Sequence, residues 1–270
     1  MLTQEGVPVD TPSRCLLCLP YVLSYVPTVA TDDVLSLADD EVRHEIQYYD
    51  HFGNPTVKVQ HGFSPLGHDL ITLQDYDALN RGSKLWLPVA YGSSDGSYVN
   101  PGKLSQTARS FCLYGMDSHP YSLTVYDGSA LNEVVEEYGP GKSWHTTGHS
   151  VKNDRMTNVL ASVRLYGVDE NFSLTMSGLY SPCMLDAVRT TDEDGNVTYE
   201  FKDKIGRTLL TRQMNGDEAH DTYTVYDNYG NVRFVLPPLA ADSLTAIQSY
   251  AESHPVLQKY AYIYHYDKTG

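Results

Sequence analysis

Cysteine and positive charge are both scarce in this chain of 270 residues. Its four cysteines are too few for a disulfide scaffold, and the C-x-x-C pair of Cys15 and Cys18 lacks the second pair that a zinc ribbon needs. We interpret these two thiols as buried or incidental, with a disulfide and then a metal site as the alternatives. Lysine and arginine number 19 against 34 acidic residues, a net charge of −15 that argues against nucleic acids and anionic membrane surfaces as partners.

Long apolar runs and the common catalytic signatures are missing as well. The apolar run 15–26 is shorter than the roughly 20 residues that a membrane-spanning helix needs, and the residues before it do not form a clear signal peptide. The sequence has no Gly-x-Ser-x-Gly elbow, no P-loop and no dinucleotide-binding glycine motif. We therefore predict no catalytic residue, no cofactor, no metal ion and no insertion into a membrane.

Tyrosine, in contrast, is abundant: the chain has 22, against 6 phenylalanines and 2 tryptophans. A tyrosine ring packs on a half-buried pleated surface while its hydroxyl stays in water, so tyrosine is favoured in β-strands. Glycine and proline are close to their average usage and indicate neither a collagen-like nor a low-complexity chain. The composition therefore favours a β-rich globular fold.

A short motif recurs along the chain: Tyr-Asp, followed by Gly at the third position after the aspartate. Three copies fit it, namely Tyr49-Asp50 with Gly53, Tyr226-Asp227 with Gly230, and Tyr266-Asp267 with Gly270. Three more depart from it, namely Asp203 with Gly206 and Arg207 but no tyrosine, Tyr76-Asp77 with Asn80 and Arg81, and the degenerate Tyr126-Asp127. Six aligned copies indicate a repeated structural unit.

The spacing of the motif predicts a tight turn between two antiparallel strands. Aspartate is preferred at the first position of a type I turn, where it accepts hydrogen bonds from the turn backbone, and glycine at the fourth, where it takes a positive φ. Residues two and four before the aspartate are mostly apolar and share one face of a strand, whereas the tyrosine points to the other face. Each copy is therefore predicted as strand, turn, strand, with His265 breaking the apolar pattern in the last one.

One helical insertion is expected between the repeats. After the strand-breaking Pro237-Pro238, Asp242 or Ser243 can cap a helix, and apolar residues follow at helical spacing until Pro255. We therefore predict a helix near residues 242–253, the one clear helix of the chain. Residues 92–102 are predicted as a turn-rich loop.

The Tyr-Asp motif resembles the YD repeat of the Rhs family of bacterial proteins. Residues 48–55, 76–88, 121–141 and 199–238 resemble a domain of uncharacterised function near the start of Rhs proteins in Bacteroidetes-type bacteria, and residues 227–267 resemble the first true repeats that follow it. The resemblance implies lead-in strands over residues 1–40, a degenerate repeat domain over 41–198, and YD repeats with the helical insertion over 199–270. The chain stops at Gly270 inside a repeat, which predicts a longer protein.

The fold that the resemblance implies is mainly β, with antiparallel hairpins forming a continuous curved sheet, the open part of a β-shell. In Rhs toxins the shell encloses a C-terminal toxin, and other members are secreted or wall-associated and suspected of binding carbohydrate. We expect a non-enzymatic structural segment, secreted or at the cell surface, whose partners are the further repeats and C-terminal cargo of its own longer chain. A carbohydrate-binding module that uses tyrosine-bearing sheet faces is the alternative. The Asp-Pro-x-Gly signature of the family's self-cleaving core is absent, so no catalytic residue is carried over.

Three local patterns have competing interpretations. The acidic stretch 192–196 suits a hairpin turn or a calcium site, and we favour the turn. His145 and His149 have a spacing that could hold a metal on a helix, but Thr146, Thr147 and Gly148 disfavour a helix, so we interpret them as loop histidines. Acidic pairs such as 32–33, 39–41 and 136–137 are interpreted as solvated turns and strand ends rather than as glycosidase carboxylates.

Overall fold

The computed structural model describes residues 2–4, 19–33, 36–38, 41–159 and 162–266. Strands make up 44% of the structure, about twice the share in an average globular protein. The chain divides into two compact units, residues 1–150 and residues 151–270. The three-part division predicted above, at residues 40 and 198, stays a prediction.

The first unit is an antiparallel sheet. Its strands are β1 (Leu2–Gln4), β2 (Tyr21–Pro27), β3 (Val42–Tyr49), β4 (Pro55–Gln60), β5 (Asp69–Tyr76), β6 (Gly82–Trp86), β7 (Val89–Tyr91), β8 (Tyr121–Tyr126) and β9 (Val134–Tyr138). They lie in the order β1-β2-β3-β4-β5-β6-β8-β9, and β7 also pairs with β5. Strands that follow each other along the chain are therefore mostly neighbours in the sheet, as hairpin connections require.

Two helices accompany this sheet: α1 (Pro101–Ser110), which a short 3-10 helix at Cys112–Tyr114 follows, and α2 (Lys142–Thr147). Helix α1 buries Leu104 and Ala108 in the core of the unit. The strand residues of that core are Val57, Val59, Ile71, Leu73, Trp86, Val89 and Tyr121. Each fully buried aliphatic or aromatic side chain of this kind stabilises the fold by about 1.5–3 kcal/mol.

The second unit has two layers. Its main sheet has the antiparallel order β10 (Ser150–Thr157), β13 (Asp186–Thr191), β14 (Val197–Lys202), β15 (Thr208–Asn215), β16 (Glu218–Tyr226), β17 (Val232–Leu236) and β19 (Tyr262–Ile263). A smaller sheet joins β11 (Arg164–Val168), β12 (Leu174–Leu179) and β18 (Gln248–Tyr250), and helices α3 (Pro238–Ser243) and α4 (Pro255–Tyr260) flank β18 in the chain. Side chains of this second layer, such as Leu174 and Leu244, share one buried core with Phe201, Leu210 and Tyr223 of the main sheet.

The predicted inward face of the repeat hairpins is confirmed. The residue seven places after the turn aspartate is Val57, Leu210 or Phe234, and none of them is more than 1% exposed. On the strand before the turn, Phe201 and Val225 are equally buried, at 1% and 2%. The period of two therefore separates core-facing from outward-facing side chains in these strands.

The helix predicted near residues 242–253 is wrong in its position. Helix α3 ends at Ser243, residues 248–250 form β18 instead, and Pro255 starts α4 rather than closing a helix. Proline suits the first turn of a helix because its missing N–H needs no partner there, which explains both helix starts. Strand β18 forms because it pairs with β12, placing Tyr250 opposite Leu174, and this tertiary pairing overrides the helical spacing.

The two helices of the first unit are not predicted by the sequence. Helix α1 begins inside the predicted loop 92–102, where the Asn100 side chain accepts a hydrogen bond from the Gly102 N–H and Pro101 opens the first turn. Helix α2 contains His145, which we had predicted in a loop; the hydroxyls of Thr146 and Thr147 donate to carbonyls one turn back. Gly148 then ends α2 in the left-handed conformation.

The predicted fold class, mainly β with antiparallel hairpins in an open sheet and few helices, is confirmed. No helix in the part of the chain that the structure describes is both long and apolar enough to cross a membrane.

Candidate functional site: the aspartate turns and their tyrosines

The turn at Asp203 shows how one carboxylate organises a hairpin. The backbone N–H of Asp203 donates to the Arg207 carbonyl at 3.0 Å, and the Gly206 N–H donates back to the Asp203 carbonyl at 3.0 Å. The carboxylate oxygen Oδ1 accepts the N–H groups of Ile205 and Arg207 at 3.0 and 2.9 Å. The side chain thus binds two donors that a bare turn would leave to water.

The same arrangement recurs at five further aspartates. In each, Oδ1 accepts the N–H groups of the second and fourth residues after it; they are Asp50, Asp77, Asp169, Asp192 and Asp227. Asp127 keeps a wider form of the turn, in which Oδ1 accepts the Glu133 N–H at 3.1 Å. The motif search in the sequence did not find Asp169, because Phe172 occupies the place of the glycine.

The third residue after the aspartate has a positive φ in all six turns. Glycine fills this position four times, with φ between 84° and 90°, whereas Asn80 has φ 65° and Phe172 has φ 58°. Asparagine tolerates this region, but a phenylalanine there is unusual. The Arg233 guanidinium lies 4.5 Å from the centroid of the Phe172 ring and packs against this side chain.

The stretch 192–196 adopts the hairpin turn that we favoured over a calcium site. Both carboxylate oxygens of Asp192 are engaged inside the turn, Oδ1 by backbone donors and Oδ2 by the Asn196 amide at 2.8 Å. Strands β13 and β14 pair on either side of it. Within the described ranges, no three histidine, cysteine, aspartate or glutamate side chains come together as a metal site would require.

The second carboxylate oxygen binds the residue after the glycine position. Arg81 Nε donates to Asp77 at 2.7 Å, Arg207 Nε to Asp203 at 2.8 Å, and the Asn54 amide to Asp50 at 2.9 Å. The Arg81 backbone N–H, with the side chain of the same residue, lowers the pKa of Asp77. Desolvation raises the pKa of Asp203, but the bonds from Arg207 and Ile205 outweigh it and the net shift is downward. These carboxylates are therefore held in their charged form.

The tyrosine before the aspartate joins its hairpin to the preceding one. Each hydroxyl donates to the main-chain carbonyl five residues after the preceding turn aspartate: Tyr76 to Pro55, Tyr126 to Gly82, Tyr226 to Thr208 and Tyr266 to Val232, at 2.9–3.2 Å. In these preceding hairpins the strand register shifts just after the turn, as in a β-bulge. Because a bulge disrupts the ladder locally, a carbonyl there is accessible to a side-chain donor.

An arginine of the preceding turn adds a second link. The guanidinium of Arg81 lies 4.4 Å from the Tyr126 ring centroid, and that of Arg207 lies 4.9 Å from the Tyr226 centroid. Each arginine thereby binds its own turn aspartate and stacks on the next tyrosine. We call this set of a turn aspartate, its arginine and the following tyrosine the YD clamp.

The remaining predicted residues do not form a complete clamp among the residues that the structure describes. The Tyr49 N–H donates to the Pro20 carbonyl at 2.9 Å, so this tyrosine extends the first hairpin towards β2. Asp267 and Gly270 lie outside the described residues, as do Cys15 and Cys18. Cys112 and Cys183 are exposed free thiols.

A buried ionic group in the second unit was missed by sequence reasoning. Arg212 binds Asp221 through two nitrogens, at 2.6 and 2.8 Å, on the neighbouring strands β15 and β16. The Tyr223 hydroxyl contacts the same carboxylate at 3.4 Å and accepts the Arg164 N–H at 3.2 Å, and burial raises the pKa of Tyr223 to about 12. The group links the main sheet to β11 through the Arg164 N–H, so we interpret its role as structural.

Residues 23–157, half of the chain, match the model of a family described as a domain of unknown function, DUF6443. The chain belongs to this family. A domain of uncharacterised function was expected, and the family model places one at residues 23–157, whereas the predicted bounds 41–198 stay a prediction. No curated protein sequence matches the chain.

The fold is similar to part of two solved structures. One is TcdB2-TccC3-Cdc42 and the other is TcdB2-TccC3 without the hypervariable C-terminal region, each with a TM-score of 0.50. Sequence identity is 13% and 14%, and each match covers 83% of this chain and 10% of the other. The chain therefore spans about a tenth of the length of these solved chains, and the likeness concerns the fold.

Proposed function

We propose that the chain is a non-enzymatic structural segment of a larger Rhs/YD-repeat protein, forming part of a β-sheet shell that encloses or displays a C-terminal domain. The observation that carries this proposal is the YD clamp, in which a turn aspartate, its arginine and the next tyrosine fasten one hairpin to another. The shared fold with TcdB2-TccC3 supports it. The resemblance to Rhs proteins also supports secretion or surface exposure.

The chemistry of the clamp suits a scaffold. The oxygens of its aspartates accept hydrogen bonds from N–H donors within the turn, and its tyrosine hydroxyls donate to main-chain carbonyls. Each hairpin buries its inner face only together with its neighbours, so stability is built from nearest-neighbour contacts. A longer run of such hairpins would extend the sheet by repeating the same contacts between neighbours.

Truncation after Leu236 tests the proposal. The shorter chain loses α3, β18, α4 and β19. Strands β12 and β17 thereby each lose one of their two partner strands, and the core loses Leu244, Tyr250 and Leu257. We expect it to associate in sedimentation experiments and to melt at a lower temperature, because unpaired strand edges and apolar surface are exposed. A chain that ends at Tyr266 is the control. A monomeric, soluble truncation with an unchanged melting temperature would contradict the proposal.

Carbohydrate binding is the second candidate. Phe52 and Tyr229 are 81% and 87% exposed at the tips of two repeat turns, so their rings are available to stack on apolar sugar faces. The clamp tyrosines are less suited, because their hydroxyls already bind carbonyls. A glycan array with the folded chain and with Tyr229→Ala tests this candidate, and signals at background level for both would remove it.

The proposed absence of enzymatic activity can be tested in parallel. A screen of generic glycoside and ester substrates should show no turnover above a sample of heat-denatured chain. Turnover that follows the folded protein through purification would overturn this part of the proposal.

A further inference from the structure

Two histidines of the first unit face each other beside α2. The ring centroids of His119, which precedes β8, and His145, in α2, are 4.8 Å apart. Tyr138 stacks on His145 at 5.0 Å and 11°, and Tyr121 contacts both imidazoles at 5.5 and 5.3 Å. Both imidazoles are thus half-buried within one aromatic cluster.

The histidine pair lies where α2 is attached to the sheet. Asp117 accepts the N–H of His119 with one oxygen and the N–H of Lys142 with both, and the Gly141 N–H donates to the His119 carbonyl at 2.8 Å. Helix α2 has only six residues, too few to be stable alone. Its position therefore depends on these bonds and on the aromatic cluster.

Charged groups of both signs surround the pair, and burial together with the nearby cations outweighs the attraction of Asp117, so the protonated form of His119 is disfavoured. Asp117 on its own loop, Arg109 on α1 and Lys142 on α2 act directly on His119. The tyrosines that contact the pair have further charged neighbours: Tyr121 on β8 has Lys84 on β6 and Asp75 on β5, and Tyr138 on β9 has Glu136 on the same strand. The three carboxylates already accept hydrogen bonds, Asp117 from the backbone, Asp75 from the Trp86 indole and Glu136 from Ser150. Burial, followed by the nearby charge of His145, lowers the pKa of His119.

We propose that the His119–His145 pair is an acid-sensitive joint that releases α2 from β8 and β9 when both imidazoles become protonated. Two positive charges at this separation repel each other, and the neighbouring Arg109 and Lys142 add to the repulsion. The proposal does not depend on the proposed shell function.

The pH range of this effect follows from linkage. A histidine whose pKa is lower in the folded than in the unfolded state binds its proton more readily after unfolding, so stability falls as pH falls. The loss begins near the unfolded histidine pKa of about 6.5 and is complete below the folded value. It therefore precedes any effect of the turn carboxylates, which titrate at lower pH.

Nuclear magnetic resonance of the imidazole protons in the full chain tests the coupling. In His145→Gln the titration midpoint of His119 should rise, because a repelling charge is removed, whereas His51→Gln, a change at an exposed turn position, should leave it unchanged. Circular dichroism at pH 7.5 establishes that each variant is folded. An unchanged His119 midpoint in folded His145→Gln would overturn the proposal.

Hydrogen exchange tests the release of α2 in the unmodified chain. After correction for intrinsic rates, the amides of residues 142–147 should exchange several-fold faster at pH 5.5 than at pH 7.5, because protonation of the pair weakens the attachment of α2. The amides of β4 and β5 serve as the internal reference. Equal rates for 142–147 at both pH values would overturn the proposal even if no variant folds.

Discussion

At the scale of single residues, the turn aspartate binds donors that lie two and four residues ahead of it in the chain. Its Oδ1 atom accepts two backbone N–H groups in all six turns, and at Asp203 the Oδ2 atom also holds Arg207. Because these bonds span at most four residues, they form wherever the local sequence permits. This explains why the motif can be recognised from the sequence alone.

Asp203→Ala should lower the free energy of unfolding by about 1–2 kcal/mol, because two turn N–H groups and the Arg207 guanidinium lose their acceptor. Urea denaturation of the full chain measures the change. Asp194→Ala is the matched control, since Asp194 lies on the exposed tip of an equivalent turn. An equally small effect for both substitutions would show that the Asp203 carboxylate is dispensable.

Gly206→Ala isolates the backbone contribution of the same turn. Gly206 has φ 87°, and a side-chain methyl there would meet no atom within 4 Å, so the cost is conformational rather than steric crowding. We expect a loss of about 1–2 kcal/mol in urea denaturation, the cost of a left-handed conformation for an L-residue. Gly128→Ala, also in open space but without a positive φ, should have little effect.

At the scale of elements, the tyrosines decide how one hairpin is fastened to the next. Tyr226 on β16 donates to the Thr208 carbonyl at the start of β15, and its ring supports Arg207 from the turn between β14 and β15. The acceptor is a main-chain atom, so its position leaves no signature in the residue type: Pro55, Gly82, Thr208 and Val232 all serve. The sequence therefore shows the tyrosine but not its target.

Tyr226→Phe should cost about 0.5–1.5 kcal/mol, the net worth of one hydrogen bond, while the ring stays available to Arg207. Thermal unfolding of the full chain gives the difference. Tyr229→Phe is the control, because that side chain is 87% exposed and should change nothing measurable. If both substitutions had the same effect, the hydroxyl would not fasten the hairpins.

In the predicted helical insertion, the local sequence pattern does not decide the conformation. Leu244 and Tyr250 are buried but Ile247 is 74% exposed, so the residues at helical spacing do not share one face. Pairing of β18 with β12 decides the conformation of residues 248–250. A local reading cannot detect a partner strand more than 70 residues away.

At the scale of the whole molecule, the turn aspartates act together on acid stability. Hydrogen bonds within the turns leave the pKa values of Asp50, Asp77, Asp169, Asp192, Asp203 and Asp227 below the ordinary value. A carboxylate whose pKa is lowered by folding stabilises the protein above its unfolded pKa, and this contribution is lost as pH falls through the folded pKa.

The melting temperature should therefore fall steeply below about pH 4, near the unfolded aspartate pKa. Melting curves between pH 2.5 and pH 5.5 measure the slope. The double variant Asp203→Asn with Asp227→Asn removes two of the titrating groups and should have a shallower slope in this range. An identical slope for the variant and the parent chain would show that other carboxylates govern acid unfolding.

The local sequence is enough to place most of the turns, the residue that takes the positive φ in them, and the strand residues that face the core; the turn at Asp169, with Phe172 in the place of the glycine, is the exception. These features depend on interactions within about five residues and on the two-residue period of a strand, so they can be deduced without the rest of the chain. Asn80 illustrates this, because it stands in the glycine place of the motif and adopts the left-handed conformation that asparagine tolerates.

Strand order and packing, in contrast, determine which groups meet across elements. The carbonyl that receives each tyrosine hydroxyl, the arginine that covers Phe172, the Arg212–Asp221 pair and the contact between His119 and His145 all join residues whose proximity depends on strand order and packing. A main-chain acceptor can belong to any residue type, and the residue type of a packed ring does not identify its partner. Their partners are therefore set by the three-dimensional arrangement of the hairpins rather than by the motif that builds them.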